Sequence, residues 1–171
     1  MIFLDTNVLV YASTEQDARK RSIAELLIDE SIRNGNGAIS FQVLREFANV
    51  MFKKFGLAAD EVRRTLSIFR DLPRVPESEE TLYRGMEITE RYGIQLYDAL
   101  IVASAEAAGC DTVYSEDMED GAVYGSVRVV DPFKHSPGKH PAVPDFAPHV
   151  SAETTPQTYI TERKERFFRR K

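Results

Sequence analysis

A chain of 171 residues can form one domain with a sizeable core and is short for two. Its 43% hydrophobic and 29% charged residues are ordinary for a globular protein. The single cysteine, Cys110, excludes an intramolecular disulfide and a cysteine-rich zinc site, and we expect it to be a small, reduced core residue. No segment approaches the length of a membrane span, and no basic region precedes the apolar N-terminal run. Both features favour a cytoplasmic protein.

The net charge of −5 hides an asymmetry along the chain. Residues 1–133 contain 14 Lys and Arg against 23 Asp and Glu, whereas residues 134–171 contain 8 against 4. Surfaces that bind nucleic acid are usually basic. A nucleic-acid partner would therefore need metal ions, local basic patches or the C-terminal tail to approach the acidic body.

The predicted elements alternate between strands and helices. An apolar run ends at Asp5, and this pattern predicts a short buried strand, a tight turn and the start of a helix. Ser40 stands where it can cap a helix. The alternation favours a parallel sheet covered on both faces. Further strands are predicted at 37–40, 72–76, 112–115 and 127–130, and further helices over 17–33, 41–55, 60–71, 78–92 and 97–109, the last apolar nearly all round and therefore central.

The composition changes after residue 132. Five prolines fall between residues 137 and 156, and hydrophobic periodicity is lost. We therefore predict a domain over residues 1–133 and a Pro-rich, then basic tail over 134–171 that is extended or partly disordered. The three histidines of this tail lack a tight ligand spacing, so we do not expect them to form a metal site: His135, His140 and His149.

Four carboxylates stand out by position. Asp5 follows the first strand, Glu46 lies inside the helix after the second strand, Asp98 opens the central helix, and Asp117 follows the strand ending at residue 115. Each one alone has a structural explanation as a helix cap or a solvated residue. Together they point to one site, because an α/β topology brings three of them to one edge of the sheet and Glu46 joins them if it faces inward.

Four segments carry a resemblance to a known family: LDTNVLVY at 4–11, SFQVLREF at 40–47, YDALIVASA at 97–105 and YSEDM at 114–118. Their order and spacing resemble the motifs of PIN-domain nucleases, in particular the VapC-like toxins of bacterial and archaeal toxin–antitoxin pairs. The resemblance implies a compact three-layer α/β/α sandwich with a central, mainly parallel sheet of four or five strands. It also implies an acidic pocket for one or two Mg²⁺ or Mn²⁺ ions, cleavage of RNA, a cognate antitoxin and a homodimer paired through helical faces.

The candidate site residues suit that chemistry. Mg²⁺ and Mn²⁺ prefer oxygen ligands, and we assign Asp5, Asp98 and Asp117 as metal ligands, direct or through water. A bound ion would remove the repulsion between the carboxylates and lower the pKa of a water that attacks phosphorus. Glu46 would act from the opposite wall, by holding that water or helping to remove its proton.

Other polar residues have supporting roles in this interpretation. Thr6, Asn7 and Ser115 would orient the carboxylates or a phosphate through hydrogen bonds. Glu116 and Asp120 could replace or supplement Asp117, although a solvated acidic loop explains both. Six basic residues of the tail would contact RNA phosphate, or else form a solvated end: Arg163, Lys164, Arg166, Arg169, Arg170 and Lys171.

Three alternatives remain open. A phosphatase of the haloacid-dehalogenase type also begins with an apolar strand and an aspartate, but it needs a second aspartate as general acid where this chain has Asn7. A housekeeping PIN nuclease would share the chemistry without an antitoxin. A non-catalytic interaction module on the same fold would not depend on Asp5 for its activity.

Overall fold

Six strands and six helices form over residues 1–134, the part of the chain that the computed structural model describes. Two helices follow each of the first three strands, and no helix separates the last three strands. The strands are β1 (Ile2–Leu4), β2 (Gly37–Ser40), β3 (Arg74–Val75), β4 (Thr112–Tyr114), β5 (Val123–Tyr124) and β6 (Val127–Val130). The helices are α1 (Thr6–Ser13), α2 (Ala18–Arg33), α3 (Phe41–Lys53), α4 (Ala59–Ile68), α5 (Glu79–Tyr92) and α6 (Leu96–Ala107).

The strands form one sheet in the order β3-β2-β1-β4-β6-β5. All neighbouring pairs are parallel except β5 and β6, which are antiparallel. Strands β2 and β4 are buried along their whole length, as expected for a parallel sheet with helices on both faces. The predicted α/β class and mainly parallel sheet are confirmed.

The strand β5 is an addition to the predicted four or five strands. It has only two residues, Val123 and Tyr124, and pairs back onto β6 through a turn at Gly125, whose φ is +61°. A two-residue edge strand with one exposed side chain carries no hydrophobic periodicity, so the sequence pattern did not reveal it. The very short strand predicted over residues 72–76 is β3.

Local signals account for several helix boundaries. Asp17 caps α2 by accepting hydrogen bonds from the backbone of Arg19 and Lys20, and Ser40 caps α3 through Val43 N at 3.3 Å. Gly93 ends α5 in the left-handed conformation, at φ +69°. The apolar α6 lies in the core, where it packs against α5 and contacts β2, β4 and β6.

The strand register brings the ends of neighbouring strands together at one edge of the sheet. Leu4 of β1 lies opposite Tyr114 of β4, so Asp5 and Ser115 leave two adjacent strands side by side. Strand β2 ends at Ser40 on the other side of β1 and leads directly into α3. The carboxyl ends of three parallel strands therefore meet at one edge, where α/β sheets bind their ligands.

No helix within residues 1–134 is long and apolar enough to cross a membrane. The predictions for the tail, including its boundary at residue 134, remain predictions, because residues 135–171 lie outside the described part of the chain. They concern His135, His140, His149 and the basic residues Arg163, Lys164, Arg166, Arg169, Arg170 and Lys171.

Candidate active site

A cavity of about 470 Å³ opens at the carboxyl ends of β1 and β4. All four predicted carboxylates line it, although they come from four separate segments of the chain: Asp5, Glu46, Asp98 and Asp117. The predicted supporting residues Thr6 and Asn7 line it as well. The third, Ser115, is completely buried beneath them and reaches the site through its hydroxyl group.

Asp5 is the most deeply buried of the four carboxylates, with 8% of its surface exposed. Its Oδ1 accepts a hydrogen bond from Thr6 N at 2.6 Å, so Asp5 also serves as the N-cap of α1. Its Oδ2 accepts one from Ser115 Oγ at 2.6 Å. Burial raises the pKa of Asp5 to about 6, and the charges of Glu46 and Asp117 push in the same direction, whereas the two hydrogen bonds oppose the rise.

Asn7 connects the two carboxylates that follow β1 and β4. Its Nδ2 lies 3.3 Å from Asp5 Oδ2, 3.3 Å from Asp117 Oδ2 and 3.2 Å from Ser115 Oγ. Because ionised carboxylates only accept hydrogen bonds, this contact set orients the amide with its nitrogen toward them. Asn7 Oδ1 is then left buried and without a hydrogen-bond partner among residues 1–134.

Glu46 approaches the cavity from α3. Its Oε2 accepts a hydrogen bond from Thr6 Oγ1 at 3.0 Å and its Oε1 accepts one from Gln42 Nε2 at 2.9 Å. Gln42 Nε2 also donates to Tyr97 O at 3.2 Å, which ties α3 to the start of α6. Gln42 was not among the predicted site residues, although its position four residues before Glu46 on the same helix was a usable signal.

Asp98 enters the cavity from the first turn of α6, whose N-cap is Gln95. Asp98 is therefore not the N-cap of α6, which was the structural explanation for its position in the sequence. Burial raises the pKa of Asp98, and the charges of Asp117 and Glu46 raise it further. The four carboxylates thus repel one another across the cavity, which is the condition that a bound cation relieves.

The three acids of the loop after β4 have different surroundings. Asp117 reaches Asn7, as described above, and its backbone N donates to Ser115 Oγ at 3.2 Å. Glu116 lines the rim of the cavity but forms an ion pair with Lys20 of α2. Asp120 accepts a hydrogen bond from Asp131 N at 2.9 Å, within the connection between this loop and the end of β6. Lys20 is a second residue that the sequence analysis missed.

The donor set fits a hard divalent cation. Every candidate ligand offers oxygen, the preferred donor of Mg²⁺ and Mn²⁺, and the buried Asn7 Oδ1 adds an acceptor without a partner. The carboxylates do not form a closed chelate in this conformation. Within residues 1–134, no group of three or more Asp, Glu, His or Cys side chains is arranged to hold a metal ion.

Comparison with known proteins identifies the family of this chain. A model of the PIN domain family matches residues 2–119, and the chain belongs to that family. No curated protein matched the sequence at a significant level. The resemblance that the four sequence motifs carry is confirmed by the family match and by the folds of solved VapC proteins.

Three solved structures are similar in fold. A toxin–antitoxin complex from Klebsiella pneumoniae matches with a TM-score of 0.57 and 20% identity, over 77% of this chain and 98% of that one. VapC20 from Mycobacterium tuberculosis, a sarcin–ricin loop cleaving toxin, matches with a TM-score of 0.54 and 18% identity, over 75% of this chain and 99% of that one. VapBC2 from Rickettsia felis, bound to a DNA fragment from its promoter, matches with a TM-score of 0.54 and 24% identity, over 75% of this chain and 97% of that one.

Proposed function

We propose that this protein is a divalent-metal-dependent endoribonuclease and the toxin of a toxin–antitoxin pair. The observation that carries the proposal is the single cavity in which Asp5, Glu46, Asp98 and Asp117 converge within a PIN-domain fold. The similar solved structures include an RNA-cleaving toxin and toxin–antitoxin complexes, which supports the same activity and partner for this chain.

Asp5, Asp98 and Asp117 would hold Mg²⁺ or Mn²⁺, as one ion or two. When bound, the ion supplies positive charge against the carboxylates and the phosphate and makes a water molecule more acidic. Ser115 and Asn7 keep the carboxylates of Asp5 and Asp117 in place, since their hydrogen bonds reach both groups.

Glu46 would take up the proton of the attacking water. Thr6 and Gln42 hold its two carboxylate oxygens, so that the group faces the cavity from the wall opposite β4. The water oxygen then forms a bond to phosphorus while the bond from phosphorus to the leaving oxygen breaks, and that oxygen takes up a proton to leave as an alcohol.

The mouth of the cavity offers groups that suit single-stranded RNA. Tyr97 lines the cavity with 64% of its surface exposed, and an exposed ring beside a cleavage site can stack on an unpaired base. Lys54 also lines the cavity and can contact a phosphate. These groups would guide the backbone into an otherwise acidic site.

A cognate antitoxin would keep such an activity from harming the host. A homodimer is also part of the proposal, and α5 supports it with three exposed apolar side chains on one face. Leu82, Tyr83 and Met86 are 40%, 58% and 53% exposed. An exposed apolar face of this kind is typical of a surface that a partner covers.

Cleavage of a broad RNA panel by the purified full-length chain tests the activity. We expect cutting with Mn²⁺ or Mg²⁺, no cutting with a chelator, and loss of cutting in Asp98→Asn. The matched control is Asp60→Asn, which removes an exposed aspartate of α4 and leaves cutting unchanged. Intact RNA throughout the panel with metal present would contradict the proposal.

Expression in cells separates a toxin from a housekeeping PIN nuclease. We expect induction of the wild-type chain to arrest growth and induction of Asp98→Asn to leave growth normal. Growth that continues with an active wild-type enzyme would support the housekeeping alternative, and an effect that survives Asp98→Asn would support a non-catalytic module.

A further inference from the structure

We propose that Lys20 is a positioning residue of the acidic site. Through its ion pair with Glu116, it turns the Glu116 carboxylate toward α2 at the rim of the cavity and holds the loop after β4 so that Asp117 reaches Asn7. The inference rests on the proposed function, because it assigns Lys20 a role in arranging the residues that would bind the metal.

The head group of Lys20 is held by several neighbours. Its Nζ forms the ion pair with the Glu116 carboxylate and lies 2.9 Å from Tyr11 Oη, to which it donates. The same nitrogen lies 4.5 Å from the centre of the Tyr11 ring and 5.3 Å from that of Phe133. The ammonium group, the carboxylate, the Tyr11 hydroxyl group and the two aromatic rings therefore form one cluster at the rim of the cavity.

This cluster is better protected from water than an ordinary surface ion pair. The side chains of Lys20 and Glu116 are 26% and 20% exposed, and partial burial strengthens a charge pair relative to one in bulk water. Hydrogen bonding to Glu116, and then to Tyr11, raises the pKa of Lys20, so the ammonium group keeps its charge.

The cluster joins four parts of the fold. Lys20 lies on α2, Tyr11 on α1, Glu116 after β4, and Phe133 after β6. The Tyr11 and Phe133 rings meet edge to face at 5.0 Å, and Arg19 donates to Phe133 O at 2.9 Å. The loop that carries Asp117 is thus tied to two helices and to the segment after the last strand.

The geometry of the loop explains how Lys20 acts on its neighbour. Glu116 lies between Ser115 and Asp117, and both of these bond to Asn7, at 3.2 and 3.3 Å from its Nδ2. With Glu116 fixed toward α2, Asp117 is directed toward Asn7 and the cavity. Without the ion pair, the loop loses this anchor and Asp117 is held less firmly.

The proposed role and a simple charge effect predict opposite signs. If Lys20 acted only as a positive charge near the site, removing it would strengthen the binding of a cation. If Lys20 positions Asp117, removing it weakens metal binding, because a carboxylate ligand is no longer held in place. The direction of the change therefore decides between them.

The experiment measures Mn²⁺ binding to the full-length chain by calorimetry, without RNA. We expect Lys20→Met to weaken binding by about 10-fold. Lys20→Arg keeps the charge and the ion pair and should restore most of the affinity. Lys53→Met is the matched control, since Lys53 is an exposed lysine of α3 that does not line this cavity and makes no ion pair within residues 1–134; its removal should leave Mn²⁺ affinity unchanged.

A second variant tests the pair itself. Glu116→Ala should reduce Mn²⁺ affinity as Lys20→Met does, and the double variant should be no worse than either single variant, because both remove the same anchor. Thermal unfolding in the presence of a chelator shows whether each variant is folded. A folded Lys20→Met that binds Mn²⁺ as tightly as the wild type, or more tightly, overturns the inference, as does full additivity in the double variant.

The two proposals fail in distinguishable ways. A wild type that binds Mn²⁺ but cuts no RNA removes the proposed activity, while weaker binding by Lys20→Met still supports the positioning role. A wild type that cuts RNA, with Lys20→Met binding Mn²⁺ normally, removes only the positioning role. A wild type that binds no Mn²⁺ overturns both.

Discussion

Ser115 Oγ donates a hydrogen bond of 2.6 Å to Asp5 Oδ2, although the two residues are 110 positions apart in the chain. The contact exists because Leu4 and Tyr114 lie opposite each other in adjacent parallel strands, so that the next residue of each strand enters the same edge. Ser115 is completely buried and also accepts hydrogen bonds from Asn7 and Asp117 N. One hydroxyl group thus connects the first and last of the four acidic motifs.

Replacing this hydroxyl group should impair the site without removing a carboxylate. In Ser115→Ala we expect the pKa of Asp5 to rise above about 6, because the hydrogen bond that opposes the effect of burial is lost. Metal affinity and RNA cleavage near pH 7 should fall roughly 10-fold, with the loss largest at low pH. Ser104→Ala, at another buried serine, is the control. A pH profile of cleavage identical to that of the wild type would contradict this prediction.

Asp5→Asn should abolish cleavage and yet stabilise the metal-free protein. A folded-state pKa of about 6 against 3.8 means that ionising Asp5 costs the folded state free energy, on the order of 1–3 kcal/mol at neutral pH. The neutral amide avoids this cost. Denaturant unfolding at pH 7.5 with a chelator measures the difference, and Asp60→Asn, which loses an exposed ion pair with Arg63 in α4, should show no gain in stability. A clear loss of stability in Asp5→Asn would contradict the prediction and show that the hydrogen bonds to the second carboxylate oxygen outweigh the cost of burying the charge.

The gain in stability from Asp5→Asn should increase with pH. Because the pKa of Asp5 is raised in the folded state, the native protein binds more protons than the unfolded chain between about pH 4 and 6. The Asp5 contribution to stability is therefore present at low pH and lost as pH rises through this window. The stability difference between Asp5→Asn and the wild type should grow from pH 4 to above 6, and saturating Mn²⁺ should stabilise only the wild type. A difference that is constant with pH would contradict the assignment.

A charge on α5 should disrupt the proposed homodimer. Met86→Glu places a carboxylate in the exposed apolar face that also contains Leu82 and Tyr83, and a desolvated charge without a partner opposes association. Light scattering after size-exclusion chromatography should report a dimer for the wild type and a monomer for this variant. Val123→Glu alters an exposed apolar residue of β5 and should leave the dimer intact. A dimer in Met86→Glu would remove α5 from the interface.

Deleting residues 157–171 should weaken RNA binding and flatten its dependence on salt. This segment contains the six basic residues assigned to phosphate contacts. Each phosphate contact releases counterions from the RNA, so binding with fewer contacts depends less on the salt concentration. Binding of RNA by Asp98→Asn, with and without the deletion, can be measured across a range of salt concentrations without cleavage. An unchanged salt slope would leave the tail without a role in binding RNA.

The chain by itself determined the elements, their order and the residues worth testing. Hydrophobic periodicity and the cap at Ser40 are local signals that act within a few residues, so they can be read without the fold. The four motifs supplied Asp5, Glu46, Asp98 and Asp117 in the same way. The edge strand β5 was not predicted, because two residues are too few to show a hydrophobic period.

Only the tertiary structure decided how those residues are arranged. The register of β1 against β4 brings Ser115 to Asp5, and packing of α2 against α1 brings Lys20 to the loop after β4. These contacts separate Asp117, which reaches the cavity, from Glu116 and Asp120, which have other partners. The three loop acids are equivalent as neighbours in a sequence. Asp117 and Glu116 differ through partners about 100 residues away, Asn7 and Lys20, and such contacts depend on how the whole chain packs.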